Sequence, residues 1–181
     1  SSSRRLVDSQ IAAGTLERLR YDYTFKLLFI FDVSGSIDKE IIFLYANVIE
    51  RLKSEFESRL TIDALFVEDD VESISYVENL SSIDDFNRAQ SNRGGGTHIP
   101  AAFKWLYDHD LLNVYDLIVV ITDGITSWEL DVGVETEKVR VVLVGTDSSY
   151  APTWIDTENS IITITEEEIK IIERYIGKGV N

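Results

Sequence analysis

Cysteine is absent from the sequence. That excludes a disulfide framework, a thiolate metal site and a cysteine nucleophile, and it points to a reducing compartment, so a cytoplasmic protein is expected. Basic residues are scarce: 17 Lys and Arg stand against 32 Asp and Glu, a formal charge of −15. A field of that sign repels phosphate backbones and argues against a nucleic-acid partner. It attracts metal ions and basic protein surfaces, or simply keeps the protein soluble. No apolar run approaches the roughly 20 residues needed to span a bilayer, so no membrane partner is expected. Ser1 to Gly14 lacks the apolar stretch of a signal peptide. With no methionine anywhere, residue 1 is not expected to be a translation start.

What is present suffices for one domain. The chain has 181 residues, 44% of them apolar, enough for an ordinary core. Residues 1–22 read as an N-terminal extension, loosely helical or the remnant of a preceding segment, and residues 23–181 as the domain. Phe25 to Phe31 is almost continuously apolar, as a strand buried on both faces of a parallel sheet would be. Asp38 to Glu57 places Ile41, Tyr45, Val48, Ile49, Leu52 and Phe56 on one helical face. Leu60 to Val67 reads as a second strand, and Val71 to Val77, after the acidic turn Glu68-Asp69-Asp70, as the outer strand of an edge hairpin. Ser81 to Gly96 is a loop. Ile99, Ala102, Phe103 and Leu106 then recur at helical spacing, with Pro100 in the first turn.

Leu117 to Ile121, Val139 to Val144 and Ile161 to Ile164 are further apolar strands. Thr165 and Glu168 form a capping box for a last helix carrying Ile169, Ile172 and Tyr175 and ending at Gly177. The expected fold is α/β: a doubly wound, mostly parallel sheet with one antiparallel edge strand and helices on both faces.

Two of the buried strands run into carboxylates, Asp32 and Asp123. Ligands of open parallel sheets bind beyond the carboxyl ends of the strands, where the strand order reverses. An aspartate in either place could instead cap the following helix. In Asp32-Val33-Ser34-Gly35-Ser36, Gly35 lets the backbone bend so that two hydroxyls point to one spot. The loop Arg93-Gly94-Gly95-Gly96-Thr97 brings another hydroxyl, and Thr97 could equally be a helix N-cap. Oxygen donors without sulfur or nitrogen suit Mg²⁺, Mn²⁺ or Ca²⁺.

Asp32-Val33-Ser34-Gly35-Ser36, the Gly-Gly-Thr loop and Thr122-Asp123-Gly124, in that order, resemble the metal-ion-dependent adhesion site of von Willebrand factor A (VWA) domains. The resemblance covers roughly Phe25 to Gly145. The run Arg93 to Pro100 followed by Ala101-Ala102-Phe103 is most similar to the VWA-like domain of certain bacterial and archaeal metallopeptidase-like proteins. Those usually carry an acid directly after the threonine, where this chain has His98. Their metallopeptidase-like part has no counterpart here, since no His-Glu-x-x-His occurs. The resemblance implies that Ser34, Ser36 and Thr97 bind the metal directly, and that Asp32 and Asp123 act largely through bound waters. It leaves one coordination position for an acidic side chain of a partner protein, and it suggests a complex with a MoxR-class AAA+ ATPase.

Signatures of catalysis are missing. There is no Gly-x-Ser-x-Gly elbow, no Walker loop and no Gly-x-Gly-x-x-Gly after a strand. Asp32, Asp123 and a metal could support phosphoryl hydrolysis, which is the alternative. The position two after Asp32 is Ser34, which leaves no second acid for proton transfer, so a non-enzymatic binding module is expected. His98, Trp128 and Trp154 lie near the strand ends as candidate partner contacts, and the tryptophans could instead cover the end of the sheet.

Overall fold

Leu28, Ile30 and Phe31 are wholly buried because the strand that carries them is apolar toward both sides. In the computed structural model this strand is β1, Phe25–Asp32. Described here are residues 24–33, 39–67, 74–80, 98–155, 160–168, 170, 171 and 174. Helix α1, Lys39–Phe56, follows β1. It leads to β2, Leu60–Val67, and β3, Ile74–Val77. Helix α2, Ile99–Asp108, leads to β4, Leu117–Thr122, then β5, Val139–Val144, and β6, Ile161–Ile164.

The six strands form one sheet in the order β3-β2-β1-β4-β5-β6. β1 is parallel to both β2 and β4, and β5 is parallel to β4 and β6. Only β3 is antiparallel, pairing Ala64 with Val77 and Val67 with Ile74. The turn Glu68-Asp69-Asp70 and the loop Ser81 to Gly96 lie outside the described residues, as do residues 1–22. The chain winds outward from β1 in one direction and from β4 in the other, so the strand order reverses between β1 and β4.

Alternate residues of β1 supply two cores. Leu27, Phe29, Phe31 and Val33 pack with Ile41, Ala46 and Ile49 of α1. Phe31 stacks on Phe66 at 5.4 Å, and Tyr45 meets Phe31 edge-on at 6.1 Å. On the other face Leu28 and Ile30 pack with Ile99, Ala102, Phe103 and Leu106 of α2. Burying a side chain the size of Phe103 contributes about 1.5–3 kcal/mol. The expected stripe of α1 is narrower than its sequence suggests. Ile41, Tyr45, Ile49 and Leu52 face the sheet, whereas Val48 and Phe56 are exposed. Val48 lies next to Ile49 and so about 100° around the helix from it, off the sheet-facing stripe.

The β4-to-β5 connection departs from strand-helix alternation. Residues 123–135 are irregular, and the only helical piece is a 3₁₀ turn at Thr136–Lys138. At the C-terminus, Thr165 Oγ1 accepts from the Glu168 N–H at 3.2 Å, as the capping box requires. Ile169, Ile172, Tyr175 and Gly177 lie outside the described residues. No helix among the described residues is long and apolar enough to cross a membrane.

Candidate functional site at the ends of β1 and β4

Asp32 is the last residue of β1 and is wholly buried, 0% exposed. The β1–β4 register pairs Phe31 with Ile121, which brings Asp32 beside Thr122 at the reversal point of the sheet. Thr122 Oγ1 donates to Asp32 Oδ2 at 2.7 Å, and the same oxygen accepts from the Gly124 N–H at 3.0 Å. One hydroxyl thus ties the end of β1 to the turn after β4.

Asp123 occupies that turn and is 6% exposed. Its Oδ1 accepts from the Ile125 N–H at 2.8 Å, an Asx turn that holds the carboxylate against its own backbone. Its carbonyl accepts from Thr146 Oγ1 at 2.6 Å, which anchors the turn to the chain leaving β5. Asp123 Oδ2 has no hydrogen-bond partner among the described residues, and none of their Lys or Arg side chains forms an ion pair with Asp123. A nearly buried carboxylate oxygen without a donor costs free energy unless a cation or water completes it.

Gly124 has φ +84°, a conformation that a side chain rarely adopts. A Cβ there would lie 2.7 Å from Tyr150 Cβ and 2.9 Å from Tyr150 O. The turn therefore needs glycine twice over, for its handedness and for the close passage of Tyr150.

The start of α2 borders the same region. Its N-cap residue is His98, whose side chain makes no cap hydrogen bond. The Ile99 N–H instead donates to Thr126 Oγ1 at 3.2 Å, so the turn after β4 caps this helix. His98 itself is exposed. Ser34, Ser36 and Thr97 lie outside the described residues, and with them both readings of Thr97, as ligand and as cap.

Trp128 and Trp154 lie together behind this rim, their rings 6.3 Å apart and near-perpendicular. Both are half-buried against the α2-side core. Trp128 Nε1 donates to Tyr150 O, and Trp154 Nε1 to Trp128 O, each at 2.8 Å. Both pack on the α2-side face of the sheet and still show part of their surface.

Thr122, Thr126 and Thr146 hold the turn, and sequence reading assigned none of them a role in the site. Thr122 was visible inside Thr122-Asp123-Gly124; Thr126 and Thr146 carry no local signal. A second polar group was also missed. Asp63 interrupts the apolar run of β2, and its Oδ2 accepts from Tyr115 Oη at 2.6 Å and Tyr76 Oη at 3.0 Å. Asp63 Oδ1 accepts from the Asn79 N–H at 2.9 Å. Burial, then bonding to Asp63 and Tyr76, raises the Tyr115 hydroxyl far above the ordinary tyrosine range. Asp63 lies four residues before Val67, the end of β2, away from the strand-end rim.

Among the described residues, Asp32 and Asp123 are two buried carboxylates at adjacent strand ends, a donor type that suits a hard divalent cation. Among the described residues no three His, Cys, Asp or Glu side chains converge.

The sequence matches no protein-family model and none of the curated proteins. Solved structures do match. The pilus adhesin SpaC from Lactobacillus rhamnosus GG, in an open conformation, superposes with a TM-score of 0.54 over 87% of this chain at 10% identity. This chain spans 29% of that adhesin. The VWA domain of SpRpn10 superposes with a TM-score of 0.50 over 84% of this chain and 95% of its own length, also at 10% identity. The fold is that of a VWA domain: a six-stranded, mostly parallel sheet with one antiparallel edge strand and helices on both faces.

Proposed function

We propose that this chain is a metal-dependent protein-interaction module. In this reading Asp32, Ser34, Ser36, Thr97 and Asp123 hold one Mg²⁺ or Mn²⁺, with Ca²⁺ as the third candidate. The observation that carries it is the pairing of Asp32 and Asp123, two buried carboxylates joined through Thr122 at the point where the strand order reverses. A bound ion would offset the cost of burying both charges and would offer a position to a carboxylate of the partner.

Binding rather than catalysis is supported by the sequence, which places Ser34 and no second acid two residues after Asp32 and carries none of the common nucleophile or phosphate-binding motifs. That a pilus adhesin shares the fold is in keeping with it. The partner is a protein offering an acidic side chain, in a complex with a MoxR-class AAA+ ATPase, and the setting is the cytoplasm.

Calorimetry and thermal unfolding with Mg²⁺ and Mn²⁺ test the reading. One ion should bind weakly and raise the melting temperature by mass action, reaching about 2.7 kcal/mol of added stability at a hundred times Kd. Asp32→Ala and Thr97→Ala should lose that gain. No heat of binding at millimolar Mg²⁺ would sink the metal site while leaving the fold standing.

A further inference from the structure

Because no helix fills the β4-to-β5 connection, residues 127–138 cross the α2-side face as a strap. Side-chain exposure alternates along it without a break. Trp128, Leu130, Val132 and Val134 turn inward onto the core, while Ser127, Glu129, Asp131, Gly133, Glu135 and Glu137 are exposed. The alternation comes from packing on the core rather than from a regular strand, since the chain bends at Asp131 and Val132 and ends in the 3₁₀ turn. Between the inward side chains and the returning segment Ala151–Trp154 lies a groove of about 410 Å³. That volume falls within the roughly 300–1,000 Å³ usual for ligand sites.

The groove has an apolar floor, with Trp128, Leu130, Val132, Val134, Ala151 and Trp154, and an acidic lip beginning at Glu129. The exposed positions of the strap are acids, serine or glycine, with no basic side chain among them. Glu135 is paired with Lys138 at 2.8 Å, and Lys104 is paired with Asp108 at 2.9 Å. Glu129 and Glu137 take part in no ion pair among the described residues. The backbone from Leu130 to Val134 makes no hydrogen bond within the described residues.

We propose that this groove binds an extended segment of a partner protein, in which an aromatic or large aliphatic side chain is flanked by lysines or arginines. The apolar residue would occupy the space beside Trp128 and Trp154. The flanking cations would meet Glu129 and the other exposed acids, and a guanidinium could also lie over an indole face. The site is separate from the metal ligands, although Trp128 Nε1 on Tyr150 O and the close approach of Tyr150 to Gly124 place it beside the turn that holds Asp123. It does not depend on the metal reading.

The test uses the full chain and three short blocked peptides: Leu-Phe flanked on both sides by Lys-Arg, by Glu-Asp, or by Ser-Ser. Calorimetry measures affinity, and the indole N–H resonances report location, with that of Trp105, which does not line the groove, as reference. The basic peptide should bind equally in Mg²⁺ and in EDTA, shift the Trp128 and Trp154 signals, and weaken with added salt. The double variant Glu129→Lys, Asp131→Lys changes only exposed side chains and should bind it about tenfold more weakly, the sum expected for two rim charges reversed. Trp154→Ala should abolish binding.

Four results would overturn the proposal: no binding of the basic peptide, equal binding of the Glu-Asp peptide, unchanged affinity in the charge-reversal variant, or binding that requires Mg²⁺ and vanishes in Asp32→Ala. The last would assign the peptide to the metal rim. Failure of the metal reading alone would leave peptide binding intact.

Discussion

Thr122 Oγ1 lies 2.7 Å from Asp32 Oδ2, a hydrogen bond between residues 90 apart in sequence that closes the sheet at its reversal point. Because the same hydroxyl accepts from the Gly124 N–H, it sets both the strand-end carboxylate and the turn carrying Asp123.

Removing that hydroxyl should therefore uncouple two elements at once. Thr122→Val keeps the shape but strips a donor from a buried carboxylate and an acceptor from a buried N–H. A loss of about 1–3 kcal/mol is expected from groups left unsatisfied. Urea unfolding checks it, with Thr122→Ser recovering most of the loss. If the metal reading is right, the stabilisation by Mg²⁺ should shrink in Thr122→Val and return in Thr122→Ser. A valine variant as stable as the parent would show that the bridge is incidental.

Gly124→Ala should be among the most damaging small substitutions in the chain. The added Cβ would sit 2.7 Å from Tyr150 Cβ, and the residue would be forced to φ +84°. Left-handed backbone costs a non-glycine residue roughly 1–2 kcal/mol, and overpacking adds about 1–3 kcal/mol. Gly133→Ala is the matched control, because its Cβ meets nothing. There a neutral effect or a gain of up to about 1 kcal/mol is expected from the stiffened unfolded chain. Equal unfolding midpoints for the two variants would contradict the account of the turn.

Much of this architecture was legible because its strands are buried on both faces. Leu27–Phe31 is apolar at every position and Val139–Val144 at all but Arg140, and Asp32 and Asp123 stand out as acids at the ends of two such strands. Less legible was anything set by long-range packing. Val48 and Phe56 fit the helical period of α1 yet face solvent, because contact with β1 and β2 defines a narrower stripe. The strap from Ser127 to Lys138 did carry its signal, the period-two spacing of Trp128, Leu130, Val132 and Val134, but strand-helix alternation was the stronger expectation there. Asp63 was visible as a lone acid in an apolar strand, whereas its partners Tyr76 and Tyr115 come together with it only through the fold. Ser34, Ser36 and Thr97 rest on sequence alone, since they lie outside the described residues.

A chain that binds through its metal rather than reacting at it should show no turnover. Generic phosphate esters, carboxyl esters and peptides should remain unhydrolysed above background with Mg²⁺ or Mn²⁺. The sequence gives the reason: the position two after Asp32 is Ser34, which supplies no second acid for proton transfer. Turnover that disappears in Asp123→Ala would reverse the assignment and make the site hydrolytic.

The tyrosines predict how the fold fails in alkali. Burial pushes the Tyr45 and Tyr76 hydroxyls up to about 12 from an ordinary value of 10.0. Tyr115 is raised further, by burial first and then by its bond to Asp63. Below pH 10 these groups are protonated in both the folded and the unfolded chain, and the stability they bring is fully present. Between about pH 10 and 12 the unfolded chain releases its tyrosine protons while the folded chain keeps them. Ionisation then favours the unfolded state, and stability must fall across that window. Urea midpoints taken through it should decline, with tyrosinate absorbance rising together with unfolding rather than ahead of it. Tyr115→Phe should flatten the decline, having one raised hydroxyl fewer. The same variant should be weaker by about 1–3 kcal/mol at neutral pH, where Asp63 loses its shortest donor. Tyrosinate signals for all eight tyrosines appearing near pH 10 in a still-folded protein would show that the Asp63 group is open to solvent.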